Sequence, residues 1–302
     1  MDTKRIAAVI VCYNPEPSRL KENIRHVYHQ VDRLLIIDNN SPDYPDYSQM
    51  ISGTDFPGIK TELIRNNRNE GIAKSLNIAI GYCIRNNYEW LLTLDQDSTC
   101  HNTMIRQLFS GEVVENVAML APQIVDINIA DNQNNSIKKR RTVTFITSGS
   151  VINVAIAQKI GGFDEKMFID HVDNEFCLRL IVNGFRLVYK PEAKLYQELG
   201  RISMHNFLGS KVLTTNHLAF RRYYLYRNGI YIYKKYFRHF PAWVTRGIFS
   251  QFKTILLIIL YEENKYEKLK CISRGMWDGL TNNFNNAPEA QPANTKHLQE
   301  KP

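Results

Sequence analysis

The stretch IAAVIVCYNPEPSRLKENIRHVYHQVDRLLIID, residues 6 to 38, decides the fold. Its two ends, Ile6 to Cys12 and Arg33 to Asp38, are short apolar runs rich in β-branched residues. That is the pattern of strands covered on both faces of a parallel sheet. Between them, Pro17 and Ser18 open a helical stretch running to about Gln30. Strand, helix, strand makes a βαβ unit, and the chain then repeats it. Lys60 to Arg65 reads as a strand, and Ile72, Leu76, Ala79, Ile80, Cys83 and Ile84 form a helical stripe before the strand that delivers Asp95. The alternation predicts an α/β fold built on an open, mostly parallel sheet flanked by helices. Ligands of such sheets bind beyond the carboxyl ends of the strands, where Tyr13, Asp38 and Asp95 all fall.

Within that frame LLTLDQDS, residues 91 to 98, carries the first chemistry. Side chains two apart in an extended segment share a face, so Asp95 and Asp97 can turn toward one hard cation. Mg²⁺ or Mn²⁺ suits, because such ions are held by one or two carboxylates together with substrate phosphates. The structural alternative is that Asp95 ends a strand and Asp97 caps the next helix.

A chain of 302 residues accommodates one large α/β domain with an elaborated C-terminal part. The sequence divides into a catalytic α/β domain over 1–205, a helical, basic and aromatic extension over 206–284, and a polar tail over 285–302 that is expected to be disordered. Asp126 to Arg141, ending in four consecutive basic residues, reads as an exposed loop; Thr142 to Asn153 reads as a further strand. From Ser210 the chain is expected to be mostly helical, with Pro241 starting one helix. Cys12, Cys83, Cys100, Cys177 and Cys271 are odd in number and in no metal spacing, which predicts reduced, mostly buried thiols. The N-terminus shows no signal-peptide pattern, so a cytoplasmic protein is expected.

The formal charge of +8 is unevenly distributed. From Arg186 to Arg274 there are 17 Lys and Arg against 5 Asp and Glu, a net +12, which leaves −4 for the rest. A basic and aromatic stretch of this kind suits an anionic membrane face as well as nucleic acid. The longest apolar run nearby, Thr254 to Tyr261, is far short of the roughly 18 residues of a spanning helix. Attachment to the inner-membrane surface is therefore expected, and spanning is not.

Six blocks together resemble family-2 glycosyltransferases, and within them the rhamnosyltransferase branch. They are AVIVCYNP (8–15), IIDNNS (36–41), NEGIAKSLN (69–77), LLTLDQDS (91–98), GGFDEKMFIDHVDNEFCLRL (161–180) and RRYYLYRN (221–228). The resemblance implies a glycosyltransferase A-type fold, an inverting reaction, dTDP-L-rhamnose as donor and a lipid-linked polysaccharide such as O-antigen as acceptor, with no nucleic-acid partner. By the same resemblance, Asp38 reads the donor's base and Tyr13 covers the nucleotide; the alternative for Asp38 is a turn with Asn39 and Ser41. Lys74, after the Gly71 turn, can add positive charge near the phosphates.

Asp173 is aligned with the family's general base, which usually follows a Glu where this chain has Val172; Asp170 is the competing carboxylate. Gln197 stands in the region where the branch often carries a His, leaving His205 or His217 as substitutes for a third metal ligand. The guanidinium forks of Arg222 and Arg227 suit a diphosphate or an anionic lipid-linked acceptor. Rival readings are transfer from a UDP-hexose, a nucleotidyltransferase, and a non-catalytic membrane adaptor. The second lacks the glycine- and lysine-rich phosphate loop it would need, and the third leaves the carboxylates without work.

Overall fold

The strand Ile6–Cys12 (β1) sits between two parallel neighbours, and everything in the first part of the molecule is placed relative to it. This is a computed structural model that describes residues 4–43, 51, 61–111, 115–127, 143–198, 203–207 and 210–285. After β1 comes the helix Pro17–Tyr28 (α1), whose first turn is capped by the Glu16 carboxylate accepting from the N–H groups of Ser18 and Arg19. Leu20, Ile24 and Val27 fall on one side of α1, as the helical period requires, and are fully buried in the main core.

Next come β2 (Arg33–Asp38), β3 (Thr61–Arg65), α2 (Gly71–Arg85), β4 (Trp90–Asp95), β5 (Thr99–Cys100) and α3 (Met104–Leu108). They are followed by β6 (Val117–Asp126), β7 (Val151–Asn153), α4 (Val154–Lys159), α5 (Val172–Val182) and β8 (Arg186–Gln197). The eight strands lie in the order β3-β2-β1-β4-β7-β6-β8-β5. β7 runs against both β4 and β6, β5 runs against β8, and the remaining pairs are parallel. The chain moves from β1 outward to β2 and β3, then returns to β4 on the other side of β1. That reversal opens a crevice at the carboxyl ends of β1 and β4, the usual ligand position in sheets of this kind.

Contacts along the chain define two compact units, Met1–Gly200 and Arg201–Pro302. The second begins with a hairpin of β9 (Ser203–Phe207) and β10 (Ser210–Thr214), so the helical region starts later than Ser210. The helices α6 (Ala219–Tyr236), α7 (Pro241–Tyr261) and α8 (Lys265–Thr281) follow. Gly275 and Gly279, one turn apart on α8, lie against the backbone of α6 at Tyr223 and Arg227, where any side chain would collide. Beside this contact Glu262 is buried between two cations, with Arg222 Nη2 at 2.6 Å and Lys268 Nζ at 2.9 Å. Burial alone would raise the Glu262 carboxyl's pKa, but Lys268 and Arg222 outweigh it and hold it below the ordinary value.

Two further expectations change. The strand expected over Thr142–Asn153 forms only at Val151–Asn153. Ahead of it the serine- and threonine-rich segment bonds locally, Ser150 Oγ donating to Ile146 O and Ser150 N to Thr147 O, with Gly149 at φ +78°. The expectation that no segment is long and apolar enough to span rested on uninterrupted runs. Across the whole of α7 Arg246 and Lys253 are the only charged residues, the mean hydropathy reaches 1.3, and by length and composition the helix is able to cross a membrane. The loop expected over Asp126–Arg141 and the tail over 285–302 lie largely outside the described residues.

Candidate active site

The crevice is assembled from the ends of β1, β2 and β4. Register aligns Cys12 with Asp38 and Val11 with Asp95, so the two carboxylates flank the last residues of β1. The chain leaving β1 is tied to both neighbours. Tyr13 N–H donates to Gln96 Oε1 at 2.8 Å, and Asn14 N–H donates to Ser41 Oγ at 2.8 Å. Ser41 in turn donates through Oγ (2.5 Å) and N–H (3.0 Å) to the two oxygens of Asp38, which is fully buried, and Arg65 Nε stands 3.7 Å from Asp38 Oδ2. Asp38 thus makes the turn that was weighed against base recognition, and its charge adds to burial in pushing up the Cys12 thiol.

Asp95 is held from three directions. Asn23 of α1 donates to its carbonyl at 2.7 Å, its N–H donates to Ser148 Oγ at 3.0 Å, and Gln197 Nε2 donates to its Oδ2 at 2.8 Å. The strand ends there. Ser98 N–H and Oγ both bond back to Asp95 O, at 3.3 and 2.9 Å, so residues 96 and 97 form a turn rather than continuing the extended segment. It is therefore this turn, and not the two-residue strand period, that sets Asp97 relative to Asp95. Asp97 is exposed beside the Arg19–Glu198 ion pair, whose closest atoms are 2.8 Å apart. The surrounding protein raises its carboxyl pKa by desolvation, against the charge of Arg19 and with that of Glu198.

Asp173 is the second residue of α5 rather than its cap, which is His171. Asp170 and His171 are consecutive left-handed residues, at φ +62° and +63°, a conformation that costs roughly 1–3 kcal/mol per residue and needs support from outside. The support comes from α2. Ile72 N–H donates to Phe168 O at 2.8 Å, and Gly71, at φ +80°, lies so close under Phe168 that a Cβ would meet its carbonyl at 2.5 Å. Asn77 accepts from Phe163 N–H at 2.7 Å and donates to Phe163 O at 2.9 Å. The Asp173 carboxyl is pushed up to about 6, first by burial and then by the charges of Asp170 and Asp95, against a bond from Asn174 N–H. Glu175, by contrast, is fully buried and paired with Arg179, which also donates to the carbonyls of Ile160 and Gly162.

Lys74 is partly exposed and paired with Glu70 at 3.4 Å. Arg222 and Arg227 belong to the second unit and are both buried. Arg222 is engaged by Glu262, and the Arg227 guanidinium lies over Tyr224 and Phe284 at 4.8 and 5.0 Å. His205 is also there, bonded to Thr214 Oγ1 at 2.9 Å and stacked on Tyr261 at 4.6 Å.

Among the described residues no group of three or more His, Cys, Asp or Glu is arranged to hold a metal ion. The exposed Asp97 and the part-buried Asp95 nevertheless fit an ion that draws its other ligands from phosphate and water. Next to them Gln197 Oε1, like Asn14 Oδ1 and Asn23 Oδ1, is buried without a hydrogen-bond partner, which leaves acceptor oxygens at the crevice. Asn23, Arg19, Ser148 and Glu198 were not foreseen. Their partners lie 53 to 179 residues away in sequence, and no local pattern marks them.

A mostly parallel sheet with carboxylates at this crevice has the architecture of the glycosyltransferase A type. The glycosyl transferase family 2 model matches residues 7–169, and the chain belongs to that family. It is 30% identical over 296 residues to the dTDP-rhamnosyl transferase RfbF of Shigella flexneri, covering 91% of this chain and 95% of that protein. It is 24% identical over 180 residues to a pre-mycofactocin glycosyltransferase of Mycobacterium tuberculosis, covering 53% of this chain and 36% of the relative. Among solved structures, the mannosyltransferase PcManGT from Pyrobaculum calidifontis, in complex with GDP-Man and Mn²⁺, superposes with a TM-score of 0.59 at 12% identity, over 95% of this chain and 89% of that one. GalNAc-T7 with UDP, GalNAc and Mn²⁺ gives 0.56 at 12% identity, over 95% of this chain and 58% of that one.

The raised Asp173 carboxyl has a stability consequence. Its favourable contribution is fully present below the unfolded value of 3.8 and is lost as pH rises through about 6, where the folded state must carry the charge. Asp173→Asn should therefore raise the thermal midpoint at pH 8 and leave it unchanged near pH 3.5. Thermal melts of both proteins at the two pH values read this directly, and equal shifts at both would show that the carboxyl is not perturbed.

Proposed function

We propose that this glycosyltransferase is an inverting rhamnosyltransferase that moves L-rhamnose from dTDP-L-rhamnose to a lipid-linked polysaccharide acceptor such as O-antigen, at the cytoplasmic face of a membrane. One observation carries the donor: 30% identity extends over 95% of a dTDP-rhamnosyl transferase. The 200-residue first unit would be the catalytic part, and the basic helical second unit the membrane-facing part. Asp38 would accept the imide N–H of thymine, for which its buried turn with Ser41 would have to open, with Tyr13 against the base.

Asp97 would hold Mg²⁺ or Mn²⁺ with the diphosphate, Asp95 would hold the same ion or the donor's ribose, and the ion when bound supplies positive charge against the leaving group. Asp173 takes the proton from the acceptor hydroxyl. A carboxyl at about 6 is ionised at neutral pH yet more basic than an ordinary aspartate, which suits that task. A single displacement of this kind, with one base on the side opposite the leaving group, inverts the anomeric centre. Lys74 would add charge near the phosphates. For Arg222 and Arg227 to meet an anionic acceptor, the buried contacts that engage them would have to open.

The donor assignment is tested by turnover. dTDP-L-rhamnose should be consumed far faster than UDP-glucose or UDP-galactose, with a mass gain of one deoxyhexose on a lipid-linked acceptor. Comparable use of a UDP-hexose would replace the rhamnosyl reading with hexosyl transfer.

The metal assignment is read by calorimetric titration of dTDP in the presence of Mn²⁺. Asp97→Ala should remove the metal-dependent part of the affinity, and an unchanged titration would exclude Asp97 as a ligand.

For the base, Asp173→Asn should keep dTDP affinity while transfer falls by about 10² to 10⁴. Asp170→Asn should lose much less. A larger loss in Asp170→Asn, with binding intact, would move the role to Asp170.

A further inference from the structure

Among the described residues of the second unit, Tyr226, Ile258 and Ile272 form a buried cluster, with Leu225, Ile255, Leu269 and Met276 packed against it. Beside that cluster a cavity of about 540 Å³ opens between α6, α7 and α8, within the range of sites that hold small ligands. Tyr226, Tyr233 and Val244 form its buried floor, and Phe237, Ile248 and Phe252 its exposed rim. The polar groups of the lining point elsewhere. Tyr226 OH donates to Gln251 O at 2.8 Å, Gln251 Nε2 to Leu225 O at 3.3 Å, and Lys234 Nζ to Leu280 O at 2.6 Å, at the carboxyl end of α8. What the cavity presents to a ligand is therefore hydrocarbon.

The surroundings specify which hydrocarbon. α7 is about 30 Å long, and only Val244, Leu257 and Ile258 of it are buried. Phe249 (70% exposed), Phe252, Leu256, Ile259 and Leu260 face outward. From Lys234 to Tyr261 the chain carries five Lys and Arg, at 234, 235, 238, 246 and 253, and no Asp or Glu. A soluble peptide partner would not need an apolar helix of this length whose only charges are cations, whereas an anionic lipid surface matches both features.

We infer that the cavity between α6, α7 and α8 is a seat for one acyl chain of an anionic membrane phospholipid, drawn from a bilayer in whose surface α7 lies. The inference deepens the membrane part of the proposed function and rests on it. The bound chain removes the cavity walls and part of the rim from water, and the basic residues meet the phosphate. With Arg246 and Lys253 seven residues apart on one side of α7, the helix lies along the interface rather than across it.

Trp243 reports on the site, since its ring lies 5.9 Å from that of Tyr233 in the cavity floor. In a full-length Trp277→Phe background, which removes an exposed tryptophan, vesicles of phosphatidylglycerol brominated on the acyl chains should quench Trp243. Vesicles of phosphatidylcholine should not. Monomeric dihexanoyl-phosphatidylglycerol, below its micelle concentration, should bind the same protein without a bilayer. Ile248→Gln and, separately, Met276→Gln place an uncharged polar group at the cavity and should weaken monomer binding about tenfold or more. Helical circular dichroism should remain intact in at least one of the two.

Sedimentation with anionic vesicles without acyl-chain quenching would overturn the inference and leave surface attachment standing. Undiminished monomer binding in a folded cavity variant would also overturn it. Chain binding by a protein that transfers no rhamnose would instead refute the rhamnosyltransferase reading and leave the lipid seat in place.

Discussion

The pairing of β1 with β2 on one side and β4 on the other is the constraint from which the site follows. Once Cys12 is in register with Asp38 and Val11 with Asp95, both carboxylates stand at one end of one strand. The chain leaving β1 must then cross between them. Tyr13 and Asn14 settle the crossing by hydrogen-bonding to Gln96 on one side and Ser41 on the other. None of these contacts is strong individually, and a neutral hydrogen bond contributes about 1 kcal/mol net. Their effect is geometric, because each fixes the backbone where the chain leaves β1.

The second support runs from α2 to the segment before α5. Asp173 acquires its raised carboxyl because the chain delivers it into a half-buried position near Asp95 and Asp170. The delivery depends on two left-handed residues that would not hold that shape alone. The first two turns of α2 supply the restraint, through Ile72 N–H and Asn77. A helix whose stripe reads as simple core filling therefore has a second face that builds the site.

Much of this was legible in the sequence, and the exceptions have physical causes. The strands Ile6–Cys12 and Arg33–Asp38 match their apolar runs residue for residue, because a strand buried on both faces has no polar interruptions to blur its ends. The segment Thr147–Ser150 was misread because the Ser150 hydroxyl bonds back to Ile146 O and the Thr93 hydroxyl takes Thr147 O, both in competition with the strand ladder. The hairpin Ser203–Thr214 escaped because its strands are short and carry few apolar residues. α7 was underrated because two charges divide its hydropathy into short runs although the helix is continuous. At the site, Asp38, Asp95 and Asp97 announce themselves by standing at or just beyond strand ends. Gln197, Asn23 and Arg19 act on partners remote in sequence, and only the folded chain brings them together.

Gly71 and Gly162 meet opposite sides of the same junction. A Cβ on the first would strike Phe168, and a Cβ on the second would strike the Asn77 amide, so each glycine is fitted to a residue contributed by the other segment. Drift at any of these four positions is therefore not independent. Two stretches some ninety residues apart, 71–77 and 162–168, are bound to vary as a matched set. A homologue with a side chain at either glycine would need a smaller partner across the junction, or a differently shaped approach to its base.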